Sequence, residues 1–575
     1  MLNKEIAEQF YAIADILEML NVAWKPIAYR KAARTIENLE KDIADIYAKG
    51  GLAALQELSG IGEAIALKIS QYIETGKIPE FEDIRKKLPS GLAKLLDIDS
   101  VGPKRAAVLH KKLKICSIKD LKKAISKNKI AKLDGFGEKS QKNIALGLEL
   151  LEKGKSRFLL DEAIPIADKI VSILKKVPGV EHAMPAGSTR RWKESIGDLD
   201  ILAISNTPKK VMDVFTTMPF VDRILANGET KSMVILKNGL QADVRVVGKK
   251  AFGAALNYFT GNVDHNVALR RIAIEKGYKL SEYGLFDRKT NKYVAGRTEE
   301  ELYKKLGLYY IEPELRENRG ELSASAKNKL PDLIKPSDIR GDFHMHTKYS
   351  DGVSTIELMA TRAQKLGYEY MAISDHSATR ANAHGMEIER LVKQISEIKT
   401  LQKKFRIKIF TASEVDILGN GELDYPDEIL KKLDIAIGSV HSGFKSEENK
   451  MTDRICTALE NKYIDVLGHP TGRLINKRNP YAVDLKKVFD TASRNNKIIE
   501  INAHPARLDL KDEHILLAKQ FGLKFAINTD AHSPEQLGLM KYGVHTARRG
   551  WLEAKDVVNT LPLASLPRIF KRIKL

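Results

Sequence analysis

The sequence runs to 575 residues, room for about three to five compact units at roughly 100 to 200 residues apiece, so a single small module is excluded. Lys and Arg number 95 against 75 Asp and Glu, a formal charge of +20 that points to a polyanionic partner. Cys116 and Cys456 form no CxxC pair and no apolar run reaches bilayer length, which excludes a disulfide scaffold and a membrane partner. The start, MLNKEIAEQFYAIADILEML, reads as an acid-bearing amphipathic helix and not as a secretory leader, so a soluble, cytoplasmic chain is expected.

From residue 1 to about 150, apolar residues recur at helical spacing and predict helices parted by glycine turns. LSGIGEAIALKI carries Gly60 and Gly62, IDSVGPKRAAVL carries Gly102 with Ser100 in the first glycine position, and LDGFGEKSQKNI carries Gly135 and Gly137. Glycines opening a helix leave backbone N–H groups free to hold a phosphate without reading a base. Between Gly102 and Lys132 stand eleven Lys or Arg, Lys104 and Arg105 among them, against one acid, Asp120. The combination predicts a grip on the phosphates of a polyanion; ordinary helix turns are the competing reading. The three passages resemble the helix-hairpin-helix motifs of DNA repair proteins.

The pattern then changes to helix plus strands, with DLDILAI and SMVILKNGLQADVRVV alternating like half-buried β structure. Asp198 and Asp200, two apart on one strand, share a face, and Asp243 lies on a later strand able to pair alongside. Three converging carboxylates suit two Mg²⁺ (or Mn²⁺) ions for phosphoryl transfer from a nucleoside triphosphate, with Gly187 and Ser188 as a donor turn and Arg191 reaching phosphate oxygens. The competing reading is a surface strand with solvated acids. Helical signals return after Thr260, and the Ser, Lys and Pro-rich 318–337 reads as a linker.

Beyond the linker, YMAIS, KIFTAS, DIAIGSV, IDVLG, IIEINA and KFAINT alternate with helical stretches, predicting repeated βα units. Ten of the 13 histidines lie here. His344, His346, Asp351, His376, Glu414, His441, His469, Asp530 and His532 fall at or just after the ends of apolar runs, where parallel strands of a barrel converge on one mouth. Mixed imidazole and carboxylate donors suit Zn²⁺ or Mn²⁺ better than Mg²⁺ alone.

The series GSxxR, GDLD, DVR and YFTGNVDHNVALRR is similar to the catalytic core of family X DNA polymerases, with similarity from near residue 1 to about 317. The resemblance implies a helical DNA-binding and lyase-like domain (1–90), a helix-hairpin-helix subdomain (91–150), an α+β nucleotidyltransferase palm (151–260) and a thumb-like nucleotide-selection subdomain (261–317). Asp198 and Asp200 would hold both metals, and Asp243 the catalytic one. Gly187, Ser188, Arg191 and Gly197 would cradle the triphosphate. Tyr258 and Phe259, in the YFTG turn with Gly261, would line the sugar pocket, Asn266 would meet the incoming base and Arg270 the template. For 5′-deoxyribose-phosphate lyase chemistry the resemblance implies Lys68 as the amine, with Lys25, Tyr29 and Arg30 as phosphate binders, although Ala64 and Trp24 replace the Lys and His of lyase-active relatives.

The histidine set matches the PHP (polymerase and histidinol phosphatase) domain over 338–575. That implies a distorted (βα)7 barrel with three ions, Zn²⁺ and/or Mn²⁺, and phosphoesterase chemistry, with Arg473 and Lys348 as candidates to orient substrate and His504 outside the ligand set. The multidomain reading is therefore a monomeric polymerase filling short gaps in gapped or primer–template DNA from dNTPs. Its second domain would process ends by 3′–5′ exonuclease action, with 3′-phosphatase or abasic-site endonuclease activity as variants. The alternative is a template-independent nucleotidyltransferase carrying a phosphatase for small phosphomonoesters.

Overall fold

The computed structural model describes the chain apart from Met1, Asn21, Asn38, 40–41, 87–90, 99–100, 153–156, 381–382 and Leu575. Ser100 of the middle glycine passage therefore lies outside the described residues. Two compact units emerge, Met1–Ser156 and Arg157–Leu575. No described helix is long and apolar enough to cross a membrane.

The first unit is helical throughout its described residues. Phe10, Tyr29 and Phe81 meet edge-on, 5.2–5.5 Å between centroids, at its centre, so their quadrupoles add to the area they bury. Gly62 and Gly102 are the N-cap residues of the helices Glu63–Thr75 and Pro103–Leu113. Gly135 and Gly137 take φ of +82° and +61°, backbone that an L side chain adopts only under strain.

The second unit opens on a five-stranded sheet whose strands lie in the order Val180–Pro185, Asp198–Ser205, Gln241–Val247, Lys231–Leu236, Val221–Asn227. The Asp198–Ser205 and Gln241–Val247 strands run parallel, while the other pairs are antiparallel. Period-two alternation splits the apolar side chains. Leu199, Ile201 and Ala203 pack with the helices Leu160–Leu174 and Pro208–Thr216, whereas Leu202 packs with Phe252, Ala255 and Leu256 of the helix Phe252–Thr260.

Beyond it, a three-stranded sheet packs with the helices Val263–Glu275 and Glu299–Lys305. A buried ion network ties this part to the palm: Glu299 takes bonds from Arg190 at 2.6 Å and from Arg316 at 2.5 Å. Arg190 also donates to Thr260 Oγ1 at 2.7 Å.

The segment 318–337, expected to be a linker, is packed. It carries the helix Glu321–Ala326, sets Glu321 against His265 at 2.6 Å, and buries Leu322 and Leu333 in the thumb-like core and Ile334 in the barrel core. Composition alone read it as a tether because the groups that bury it come from elsewhere in the chain.

The remainder is a seven-stranded parallel sheet in sequence order, from Gly341–Asp342 to Lys524–Asn528. Residues just past the first and last strands complete the closure, His346 N donating to Ala531 O at 2.8 Å and Asp530 N to His344 O at 2.9 Å. Alternate strand residues, among them Tyr370, Phe410, Ile437 and Ala526, form an inner core that Leu566 and Phe570 plug. Their neighbours Met371, Ile409 and Phe525 face the surrounding helices. The expected (βα)7 architecture is thus present, and it leaves the strand ends to form a mouth.

Burial would raise the Glu299 carboxyl, but Arg316 and Arg190 overcome it and hold its pKa at about 2, against an ordinary 4.5. A folded pKa below the unfolded one stabilises the protein fully above about pH 4.5, and this contribution fades as pH falls toward 2. Glu299→Gln leaves Arg316 buried without its counter-charge. Urea titration at neutral pH should show a loss of roughly 3–5 kcal/mol, with the gap to the parent narrowing as pH falls through that window.

Two candidate metal centres

The first centre is an edge of acids on the palm sheet. Parallel pairing sets Asp200 directly beside Asp243, and Asp198 beside Gln241. The turn above is pressed onto Asp200: Gly187 has φ +57°, and a Cβ there would sit 2.3 Å from Asp200 Oδ2, so only glycine fits. Burial, then Asp198 and Asp243, push the Asp200 carboxyl up to about 7, against Arg245 and Arg191. Burial and then Asp243 raise Asp198 as well. Mutual repulsion among half-buried carboxylates is what bound divalent cations relieve, so the donor set fits Mg²⁺ or Mn²⁺. The three aspartates share this edge without drawing together to within 4.8 Å. Asp243 instead accepts from Gln241 Nε2 at 3.0 Å and lies 3.6 Å from Lys231 Nζ.

Around this edge, Gly197 stands over Arg157, 3.4 Å from where its Cβ would be. Tyr258 meets Phe259 edge-on at 5.1 Å, and Phe259 carries Arg245 over its ring at 4.5 Å. Asn266 Nδ2 donates to Tyr258 O at 2.7 Å, Arg270 Nε donates to Asn266 O at 3.2 Å, and these three side chains line one small cleft. Arg191 departs from expectation. Its Nε engages Glu317 Oε1 at 3.2 Å and its Nη1 donates to Thr260 O, just before Gly261. The expected phosphate arm thus ties two turns together; its partner Glu317, 126 positions away, lies beyond any local motif.

In the helical unit, Lys68 Nζ lies 2.7 Å from Glu80 and Lys25 Nζ 3.7 Å from the same carboxylate. Tyr29 and Arg30, expected beside Lys25 as phosphate binders, have other partners. The Tyr29 ring belongs to the aromatic core and its hydroxyl is pushed up to about 12 by burial and then Glu80; Arg30 is held by Asp15 at 2.6 Å and Glu18 at 2.5 Å.

At the barrel mouth the nine expected residues do come together. Glu414 sits in their midst, 2.8 Å from His376 Nδ1, 2.9 Å from His469 Nε2, 3.2 Å from His441 Nε2 and 3.5 Å from His344 Nε2. Asp530 lies 3.1 Å from His346 Nε2, and Asp351 3.3 Å from His532 Nε2. Three sets of donor atoms close to within 4.8 Å: His346, Asp351, His376 and His532; His344, His346 and Asp530; His376, Glu414 and His441. His344 Nε2, both His346 nitrogens, His376 Nδ1 and His469 Nδ1 are buried without a hydrogen bond, although carboxylates lie close to most of them. Buried polar atoms that crowd yet do not align as donor and acceptor are suited to sharing cations, and imidazole with carboxylate fits Zn²⁺ or Mn²⁺.

The electrostatics match. Burial would raise Glu414, but His441, His376 and His344 hold it well below the usual carboxylate range. Asp530 is held down likewise, by His344 and His346. Burial would lower His376, yet Glu414 and Asp351 push it up to about 10, while burial and His376 depress His346 to about 4.

Sequence reading missed the groups behind the donors. Glu500 lies 2.7 Å from His344 Nδ1 and accepts from His469 N at 2.7 Å, and Asp416 lies 2.5 Å from His441 Nδ1. A signal was present: Glu500 is an acid with isoleucines on both sides inside the fully buried strand Ile498–Asn502. Arg507 Nε stands 3.3 Å from Asp530. Arg473 is not at the mouth's disposal, because it is bonded to Arg507 O, Leu508 O and, at 2.7 Å, Glu194 of the palm. Lys348 is exposed, and half-buried His504 accepts from Ala506 N at 3.2 Å. Because Glu500 orients the His344 imidazole and holds the backbone amide of His469, Glu500→Gln should weaken Mn²⁺ binding at the mouth by about 10- to 100-fold in calorimetric titration.

Family models match at four places: a helix-hairpin-helix domain at 1–78, a SAM-like helix-hairpin-helix tandem at 92–150, the DNA polymerase beta thumb at 255–317 and the PHP domain at 342–504. The chain is 37% identical over 576 residues to the DNA polymerase/3′-5′ exonuclease PolX of Bacillus subtilis (strain 168), covering 100% of both chains. It is 25% identical over 350 residues to DNA polymerase lambda of Rattus norvegicus, 55% of this chain and 56% of that one. Against a probable phosphatase of Thermoanaerobacter sp. (strain X514) it is 30% identical over 231 residues, 38% of this chain and 89% of the relative. With helix-hairpin-helix, thumb and PHP segments in this order and likeness to PolX along its full length, the chain belongs to the family X DNA polymerases that carry a C-terminal PHP domain.

Proposed function

We propose that this protein is a DNA-directed DNA polymerase that fills short gaps during repair and trims DNA ends with a 3′–5′ exonuclease in its PHP barrel. The observation that carries the reading is Asp200 in register with Asp243, beneath a glycine turn that admits no Cβ. That is an acidic edge with a backbone turn pressed directly onto it.

In this reading Asp198, Asp200 and Asp243 hold Mg²⁺ or Mn²⁺, which when bound neutralise charge on the triphosphate and its pyrophosphate product. The Gly187–Arg190 backbone and the Ser188 hydroxyl take phosphate oxygens, and Asp243 accepts the proton of the primer hydroxyl. Tyr258 and Phe259 crowd the sugar so that a ribose hydroxyl is disfavoured. Asn266 and Arg270, bonded in series, read the base edge and the template strand. The glycine turns at Gly60, Gly62, Gly102, Gly135 and Gly137, with Lys104 and Arg105, hold the DNA backbone. Lys68, beside Glu80, is the amine for a secondary lyase activity.

At the barrel, the nine mouth residues hold Zn²⁺ and/or Mn²⁺, three ions in all, which supply Lewis-acid activation of a phosphodiester. Glu500 and Asp416 keep the imidazoles oriented, and Arg507 offers a guanidinium beside Asp530 for a phosphate oxygen. The protein acts as a cytoplasmic monomer on gapped or primer–template DNA. The likeness of the barrel to a probable phosphatase supports a second reading, in which this half hydrolyses small phosphomonoesters.

One labelled primer on a gapped duplex, with dNTPs and Mn²⁺, reports both halves. Asp198→Asn with Asp200→Asn should cut extension by roughly a thousandfold and leave degradation unchanged, whereas Glu414→Gln should do the reverse. Loss of both activities in either folded variant overturns the two-site assignment. Release of phosphate from a small monoester with no shortening of the primer would favour the phosphatase.

A further inference from the structure

The last long helix of the barrel, Met540–Arg549, ends against the palm turn that begins at Gly187. Three contacts join them. The His545 imidazole stacks flat on Trp192, with centroids 3.5 Å apart and planes 4° from parallel. Arg549 Nη1 donates to the Arg191 carbonyl at 2.8 Å. The same nitrogen bonds Glu317 Oε1 at 3.0 Å, the oxygen that also accepts from Arg191 Nε at 3.2 Å.

Glu317 is a collecting point. Its other oxygen takes Asn262 Nδ2 at 3.1 Å, from the turn that follows the YFT residues, and lies 3.6 Å from Lys193 Nζ. One carboxylate thus gathers both nucleotide-facing turns of the palm and a guanidinium from the barrel. On its far side Arg549 is anchored by Asp512 at 2.5 Å, and Asp512 is steadied by Arg319 at 3.2 Å. The Arg549 side chain is 3% exposed. A buried, planar fork held at both ends fixes position more tightly than a domain tether requires.

We propose that Arg549 is a positioning residue of the polymerase site, so that the PHP barrel braces the turn on which the incoming triphosphate sits. This rests on the reading of the Gly187–Arg191 turn as the triphosphate cradle. The brace has no reacting atom. Its effect is on the placement of the turn that binds the triphosphate, and loosening that turn weakens binding of the nucleotide in ground and transition states alike.

The test compares full-length variants by steady-state dNTP titration on gapped DNA, with exonuclease rate and unfolding midpoint measured alongside. Arg549→Lys keeps the charge, but one ammonium cannot span Asp512, Glu317 and the Arg191 carbonyl together. Asp512→Asn, a second variant, loosens the anchor while leaving Arg549 its bonds to Glu317 and the Arg191 carbonyl. Ser188→Ala reports on the cradle itself. The expected result is a dNTP KM raised about 5- to 20-fold in Arg549→Lys and less in Asp512→Asn, with kcat within about twofold and exonuclease rate unchanged. Combined with Ser188→Ala, Arg549→Lys should raise KM by less than the product of the single effects, because both act on one turn. If Ser188→Ala raises KM while Arg549→Lys and Asp512→Asn leave it within about twofold, the brace is refuted and the cradle stands. If kcat, exonuclease rate and unfolding midpoint all fall as KM rises, the contact only holds the fold and the proposal fails. If Ser188→Ala leaves KM unchanged, the cradle reading falls and the brace falls with it.

Discussion

Carboxylates repel one another more strongly as water is withdrawn, and both centres of this protein are organised around that repulsion. On the palm it is left standing. Asp200 is raised to about 7 by its burial and by Asp198 and Asp243, and among these neighbours the arginines lower it only in part. At the barrel mouth it is answered in place, with five histidines around Glu414. An acid edge that favours positive charge suits a substrate that arrives with cations and leaves with them. At the mouth, imidazole nitrogens crowd to 2.8–3.7 Å from Glu414, and imidazole and carboxylate together offer a shared set of ligands to cations.

The two backbones reach these ends by different geometry. On the palm, two parallel strands in register deliver Asp200 and Asp243 side by side, and no more than two strands are needed. In the barrel, donors as far apart in sequence as His344 and His532 are brought together only by closure of seven strands, with His346 and Ala531 sharing a bond across the seam. The first site therefore draws its acids from two strands, whereas the second draws its donors from strand ends around the whole barrel. The inner plug of Leu566 and Phe570, at the end of the chain, is as much a condition of the second site as any histidine.

This contrast also decides what the sequence reveals. Period-two spacing places Asp198 and Asp200 on one face by local geometry, and histidines recurring at the ends of apolar runs point to a barrel mouth; the structure agrees on both arrangements. Long-range pairing is what local pattern cannot supply. Arg191 looked free because Glu317 lies far along the chain, Arg30 because Asp15 and Glu18 reach it from another helix, and Arg473 because Glu194 belongs to the palm. Each is an arginine expected to meet substrate whose charge is already paired with an acid. Residues 318–337 misled for the same reason: serine, lysine and proline describe the segment's own preference, while Glu321 is fixed by His265 on a helix 56 positions earlier.

The border between palm and barrel has the character of a core. Leu508, wholly buried, and Tyr542 belong to the apolar cluster of the palm although both lie in the barrel sequence. Leu508 holds φ +42°, a costly conformation for leucine that the surrounding packing must enforce. Its neighbours serve the other site: Arg507 stands at Asp530, and Asp509 accepts from the Thr471 amide at 3.0 Å and hydroxyl at 2.8 Å, two residues past His469. One short loop is therefore pinned in the palm by its leucine and holds the barrel mouth by the residues on either side. Two enzymes that merely shared a tether would have no use for such a loop, and a change to the palm core at Leu508 is also a change at the mouth.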